Sequence, residues 1–515
     1  MIERLAEFRC LAPDLPEHGR SAAVRPFSIS ETAERLADLI RTHAPGGKAL
    51  VVGLSEGAQV AVAMLANAPH VAQRLPFVMP GYHWWERGFY GAGLKAYDAL
   101  AGRQGLGSTE WLSTRRTLEL LPGVRPRGLW GGVRYWDGQF DDARFALLLA
   151  RTAAARGALL LNHCEVTALQ REGPPGGAMV RGLVVRDTET GTETALRARC
   201  VVNATGVWVD AVRDMDRDEG APHRPPMVAP SQGVHLVVDR GFLPGNHALL
   251  VPKTEDGRVM FAVPWYGKTI LGTTDTPRHD LAREPAPFAD EVSFILEQAG
   301  RYLLHAPQRA DVRSIWVGLR PLVKPQSEDG TAGTDGQGAV STKALSREHT
   351  VIVGRSGLIT VTGGKLTTYR AMAEDVLDRA MSRGLLARRP GGVTAKLPLL
   401  GAAPGRPQAE PPGDHLYGSE AGLLHTLPGA HRWLWRDAET GRGGLSEAMV
   451  RFAARYEMAR DVEDVLARRC RLLFLDAAEA ARQADAVAAV LAEELGREVD
   501  TAAFKTLAAA YHHLP

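Results

Sequence analysis

The chain has 515 residues, 45% of them hydrophobic, and its 61 basic and 59 acidic side chains leave a formal net charge of +2. That length supports roughly two to four domains with an ample core, and the near-neutral balance excludes nucleic-acid binding driven by bulk charge. No apolar run reaches the roughly 18–20 residues of a membrane-crossing helix, so any membrane contact is expected to be peripheral. Cys10, Cys164, Cys200 and Cys470 lie far apart, without CxxC or metal-type spacing. This predicts reduced thiols in a cytosolic compartment and no metal site. Charges at Glu3 and Arg4 argue against a secretory signal.

Residues 1–66 read as a compact α/β piece. PDLPEHGRS at 13–21 is a polar loop, and FSISETAERLADLIRTHA at 27–44 has helical apolar spacing through Leu36, Leu39 and Ile40. KALVVGLSEGAQVAVAMLA at 48–66 reads as strand, tight turn and helix. Its Gly53-Leu54-Ser55-Glu56-Gly57 fits the G-x-S-x-G turn that exposes a nucleophilic serine between a strand and a helix. With PDLPEHGRS, this stretch resembles the α/β-hydrolases. A serine nucleophile needs a histidine base and an orienting acid. In that family both lie well downstream, and here the hydrolase pattern does not continue past Ala66. The segment is expected to keep a strand–turn–helix shape without chemistry; a serine hydrolase or esterase using Ser55 and a non-catalytic fusion remnant are the alternatives for the chain. As a dinucleotide loop the turn fails, because Gly53 and Gly57 lack G-x-G-x-x-G spacing.

Residues 67–400 alternate strands and helices. WWERGFYGAGLKAY at 84–97 mixes aromatics with Arg87 and Lys95 and is a candidate bilayer-surface contact or a buried helix. RPRGLWGGVRYW at 125–136 reads as solvated surface. DDARFALLLARTAAARGALLLN at 141–162 predicts a helix that ends at Gly157 and then a strand. Residues 179–206 predict a hairpin turning near Thr190-Gly191, a further strand and a glycine turn. Strands fill 235–275 and a helix lies in 289–304. The Gly/Asp-rich 325–340 reads as a mobile loop. Residues 401–441, rich in Pro, Gly and His, are expected to be a linker, and 442–515 a helical domain.

The most informative run is LITVTGGKLTTYRAMAEDVLDRAM at 358–381: a β-branched strand, the Gly363-Gly364 turn, then Lys365, Leu366, Thr367 and a helix over 367–381. Paired glycines let the backbone approach a flat ligand closely. A helix start offers unpaired N–H groups and a positive dipole end. CVVNATGVWVDAV at 200–212 supplies a second glycine turn, at Ala204, Thr205 and Gly206. LANAPHVAQRLPFVMP at 65–80, RYWDGQFDDARF at 134–145, SQGVHLVVDR at 231–240, GTTDTP at 272–277, WVGLRPLV at 316–323 and MARDVEDVLARRCRLLFLD at 458–476 accompany them.

In this order the segments resemble the FAD-dependent glycerol-3-phosphate dehydrogenase family over about 65–515. The resemblance implies an α/β plus α+β flavoprotein of the D-amino-acid-oxidase type. Its Rossmann-like FAD and substrate domain would lie at 67–400 and its all-helical domain at 442–515. It implies FAD held at Ala204, Thr205, Gly206, Gly363, Gly364, Lys365, Leu366 and Thr367. It further implies glycerol 3-phosphate as substrate, quinone or oxygen as electron acceptor, and a cytoplasmic, peripheral position on the inner face of the cell membrane.

Oxidising a secondary alcohol removes the hydroxyl proton and passes hydride to the flavin, so the protein must position and neutralise. His235 is the candidate base. Arg320, a planar fork, and Lys365, a point charge, are candidates for the phosphate and the developing alkoxide. A cation at Lys365 opposes the helix dipole, which implies a nearby anion. His235 alternates with apolar residues, the pattern of a packed core histidine. Asp275 reads as a turn residue.

The family opens with a strand, G-x-G-x-x-G, a helix and a second strand, which grip the pyrophosphate and ribose. Here the hydrolase-like 1–66 stands in that place. The expected fold lacks its first βαβ unit, with a fusion-like junction near 60–67, an open sheet edge and weakened FAD affinity.

Overall fold

The structure, a computed structural model, describes residues 64, 67–101, 105–174, 176–218, 220–254, 257–324, 348–403 and 410–515. Ser55 and its turn, most of the 1–66 segment and the 325–340 stretch lie outside them.

The strands β1 (Ala72–Gly81), β2 (Glu110–Leu112) and β3 (Gly131–Phe140) form one side of a nine-stranded sheet, with helices α1 (Glu86–Ala101) and α2 (Thr114–Leu120) between them and α3 (Asp142–Ala155) after them. A separate antiparallel meander follows, β4 (Cys164–Glu172), β5 (Met179–Asp187) and β6 (Glu193–Arg197), with Gly191 in the left-handed region at the expected hairpin turn. Then come β7 (Val202–Asn203) and α4 (Val209–Met215). The large sheet is completed by β8 (Val228–Asp239), β9 (Ala248–Val251), β10 (Met260–Trp265), β11 (Lys268–Gly272), β12 (Thr276–Pro277) and β13 (Val312–Val323), with α5 (Ala289–Tyr302) between the last two. A third sheet has the order β14 (His349–Val353), β15 (Ile359–Gly363), β7, in which β15 and β7 run parallel. Helix α6 (Tyr369–Ser382) leaves it.

Side chains alternate across a strand, so the large sheet has two distinct faces. Val234, Leu236, Val238, Leu249, Val251, Ala262, Leu271 and Ile315 point to one face and pack against Val292, Ile295 and Ala299 of α5. The other face carries Leu75, Phe77, Met79, Val133, Tyr135, Ala248, Leu250, Phe261 and Val263. The strand register places Asp137, Gly233, His235, Gly272, Trp316, Gly318 and Arg320 on this second face.

The C-terminal region contains α7 (Ala421–His425), β16 (Trp433–Trp435), β17 (Leu445–Ser446), α8 (Glu447–Tyr456), a π-helical turn over Asp464–Arg469, α9 (Leu472–Leu475), α10 (Ala477–Leu495) and α11 (Ala502–His512). They enclose one core around Phe452, Leu466, Leu473 and Leu491.

Three local expectations need correction. Residues 158–162 form no strand, and Leu159 is 81% exposed with Leu161 also exposed. Among the described residues no neighbour pairs with this segment, and an isolated strand leaves its N–H and C=O groups unsatisfied. Residues 410–441 are not a linker. Leu416, Tyr417, Leu424 and Leu427 are buried in the C-terminal core, where apolar burial outweighs a Pro/Gly-rich composition. The helix expected to start at 367 begins with a 3₁₀ turn at Leu366–Thr368 and becomes α-helical at Tyr369. The expected open sheet edge falls against residues 1–66, most of which lie outside the described ones; among the described residues β7 pairs with β15.

Candidate active site

Two glycine turns converge at the carboxyl ends of β7 and β15. Gly206 follows β7 with φ +62°, and Thr362 Oγ1 donates to the Gly206 carbonyl at 3.2 Å. Gly363 and Gly364 have φ +78° and +68°. A Cβ on Gly363 would stand 2.5 Å from the Glu348 carbonyl and 2.6 Å from Val323 at the end of β13, so this turn admits no side chain. A Cβ on Gly206 would meet nothing within 4 Å among the described residues, so its backbone is bare toward them. Asn203, buried at the end of β7, braces the first turn: its amide donates to the Val209 carbonyl at 2.9 Å and accepts from Thr205 Oγ1 at 2.8 Å.

The second face of the large sheet carries the other predicted residues. His235 lies opposite Trp316 across the β8–β13 pair and opposite Gly272 across β8–β11. A Cβ at position 272 would fall 2.6 Å from His235 Cδ2, so the ring occupies room that a glycine leaves. On its other side the ring stacks on Trp316, with centroids 4.3 Å apart and planes 19° apart. Desolvation between these walls, with the nearby Arg320 charge, lowers the His235 pKa from 6.5 to about 4. The imidazole is therefore neutral at pH 7. Its Nδ1 is buried with no hydrogen-bond partner among the described residues.

Arg320 is clamped beside it. The guanidinium donates to the Thr274 carbonyl and Thr273 Oγ1, both at 3.1 Å, and pairs with Asp275 at 3.4 Å. It lies across Gly233, where a Cβ would come within 2.3 Å of Nη2. Ser231 Oγ donates to Asp275. Asp275 is thus more than the expected turn residue, since it orients Arg320. The Thr273–Thr276 loop is itself pinned from α5: Thr274 and Thr276 hydroxyls donate to Glu291 at 2.8 and 2.6 Å.

Lys365 stands exposed at the second turn. Asp137 of β3 is an acid within electrostatic reach: burial raises its carboxyl's pKa, and the Gly138 N–H and the Lys365 charge oppose the rise. The Lys365 turn abuts the end of β13, the strand that carries Arg320, through Gly363 against Val323. Ala204 and Leu366 are exposed near the turns, and Thr367 Oγ1 is buried without a partner among the described residues.

Gly233, Gly272, Trp316 and Asp137 add to the site beyond the residues singled out in the sequence, and Asp275, read there as a turn residue, joins them. A glycine inside a strand signals close approach of another group, so Gly233 and Gly272 carried a readable cue. Trp316 did not, because its partner is set by cross-strand register.

The family described as FAD dependent oxidoreductase matches residues 24–370, beginning inside the hydrolase-like segment, and the C-terminal domain of alpha-glycerophosphate oxidase matches 414–502. A mitochondrial glycerol-3-phosphate dehydrogenase of Arabidopsis thaliana is 37% identical over 84% of this chain and 70% of its own length. The mitochondrial glycerol-3-phosphate dehydrogenase of Homo sapiens is 42% identical over 62% of this chain, although the match spans 42% of that protein. The X-ray structure of the glycerol-3-phosphate dehydrogenase of Bacillus halodurans complexed with FAD superposes with a TM-score of 0.67 at 27% identity, covering 89% of this chain and 86% of that one. The chain belongs to the family of FAD-dependent oxidoreductases that includes these glycerol-3-phosphate dehydrogenases.

The described residues fit FAD at its flavin end. Gly206 offers bare backbone, and the 363–367 turn offers backbone N–H groups, a lysine and a helix start.

Proposed function

We propose that the chain oxidises sn-glycerol 3-phosphate to dihydroxyacetone phosphate. The observation that carries this reading is a neutral histidine and a clamped arginine, side by side on one sheet face, with the glycine turn of Lys365 abutting the end of the arginine's strand. Bound FAD would supply the acceptor for the hydride that leaves C2 of the substrate. His235 takes the proton from the C2 hydroxyl, for which a ring uncharged at pH 7 has a free lone pair. Arg320, its fork fixed by Thr273, Thr274 and Asp275, pairs with the phosphate or the developing alkoxide. Lys365 adds a second cation at the turn. Ala204, Thr205, Gly206, Gly363, Gly364, Leu366 and Thr367 line the cofactor's path.

The electrons then pass to a quinone or to oxygen, with the protein peripheral on the cytoplasmic face of a membrane. Supporting the membrane contact, Trp84 and Phe89 at the start of α1 are 76% and 68% exposed, and Trp130, bonded to the end of β1, is exposed too. No helix among the described residues is long and apolar enough to cross a membrane. Co-sedimentation with lipid vesicles, lost in W84S/F89S, would support this contact.

The decisive experiment is to purify the chain from cells supplied with riboflavin and record its flavin absorbance. Bands that bleach on adding glycerol 3-phosphate support the proposal. No flavin after addition of excess FAD would sink it and would favour the weakened cofactor affinity expected from the N-terminal sequence.

A further inference from the structure

We infer that Trp316 is a positioning residue: its indole, braced by the C-terminal helices, fixes the orientation of the His235 ring and keeps water from its buried side. The inference rests on the reading of His235 as the base.

The geometry has three parts. The His235 ring is sandwiched, with the indole at 4.3 Å on one side and the side-chain-free Gly272 on the other. A flat stack with 19° between planes leaves the imidazole little freedom to tilt. The indole is itself held from behind: Phe474 of α9 meets it edge-on at 5.4 Å, Tyr511 of α11 meets Phe474 edge-on at 5.5 Å, and the Tyr511 hydroxyl donates to Glu284 at 2.8 Å. Arg471 lies over Phe474 at 4.2 Å, and Ser314, two residues before Trp316, donates to the Leu473 carbonyl at 2.9 Å. The aromatic row runs unbroken from the C-terminal helix to the base. A hydrogen bond ordinarily fixes a catalytic imidazole, but Nδ1 has none among the described residues, so the stack takes that role.

The charges around the ring are few. Arg320 on β13 disfavours protonation, and Asp142 at the start of α3, paired with Arg471 at 3.2 Å, favours it weakly. Exclusion of water remains the larger influence on the neutral ring, and Trp316 supplies one wall of that exclusion.

The test compares W316L, W316F, F474L and H235N in the purified full-length chain. One readout needs no turnover: nitrogen-15 NMR titration of the histidine rings, with the His235 signal assigned by its loss in H235N. W316L should raise the His235 midpoint from about 4 toward 6.5, W316F should restore most of the native value, and F474L should shift it less. In the flavin-loaded protein, W316L should lower kcat roughly tenfold with KM nearly unchanged, a smaller loss than the ~10²–10⁴-fold from removing a general base. It should also move the acid limb of the kcat profile upward.

An unchanged His235 midpoint in folded W316L overturns the inference. So does a W316F variant as impaired as W316L with no titration shift, which would mean packing alone. If W316L does not fold, W316F and F474L decide by the same two signatures. Full turnover by H235N sinks the base assignment itself, and its signature differs, since the titration shift in W316L would persist.

Discussion

A single methyl group at position 272 would collide with the imidazole that the glycine now accommodates. Gly272→Ala puts Cβ 2.6 Å from His235 Cδ2, so the ring must tilt off Trp316. The expected outcome is a kcat loss of about tenfold or more, because a small misplacement of a reacting group is costly. Stability should also fall by about 1–3 kcal/mol, since the Cβ comes within 3.1 Å of the Val234 carbonyl as well, and steady-state kinetics beside a melting curve check both. His70 behaves differently. It is buried near Arg144 and Arg151, its two ring nitrogens have no hydrogen-bond partner among the described residues, and burial lowers its pKa from 6.5 to about 4. The folded protein therefore resists a proton that the unfolded chain accepts. Stability from this residue is intact above pH 6.5, falls between 6.5 and about 4, and is level below that. The predicted loss is about 3 kcal/mol across that window. Urea unfolding at successive pH values should show it, and H70Q should remove roughly half of the slope, the rest coming from His235, which carries a like shift. If H70Q leaves the slope unchanged, other groups carry it.

At the scale of elements, the local rules of the chain are mostly obeyed. Asp476 caps α10, accepting from the Glu479 N–H at 2.9 Å, and the helix closes on Gly496 with φ +65°. Asp476→Ala should therefore lower stability by about 1 kcal/mol with flavin content unchanged, measured by chemical denaturation and absorbance. The helix over 141–157 and the hairpin at Gly191 were equally readable, because cap, period and turn residues are local signals. The 158–162 strand was not. Its Ala-Leu-Leu-Leu pattern is strand-like, but a strand exists through a partner, and pairing is decided far along the chain. The 401–441 stretch misled in the opposite sense: its composition is that of a linker, yet Leu416, Tyr417, Leu424 and Leu427 are buried in the core built with the helices that come later.

For the whole molecule, the telling contact joins the two halves. Arg144 of α3 is fully buried and pairs with Glu457 at 2.8 Å, at the end of α8, while also donating to the Arg469 carbonyl at 3.2 Å. Tyr266 bridges from β10–β11 to Asp141 at 2.9 Å. Glu457→Gln leaves a buried guanidinium without its charge partner and should destabilise by roughly 3–5 kcal/mol. Unfolding monitored on both halves should remain a single transition in the native chain. Two separated transitions there would mean that the C-terminal region folds independently of this contact.

The order of segments in the chain carried the family and the cofactor and marked His235, Arg320 and Lys365 as candidates, because glycine turns, strand-to-helix junctions and charged groups at their ends are written locally. It also carried the two cues that were not followed, glycines 233 and 272 inside strands. The tertiary structure alone decided that Trp316 would lie on His235 and that Asp275 would hold Arg320. Each of these depends on register between strands distant in sequence, and a one-residue slip in register sends every side chain to the opposite face.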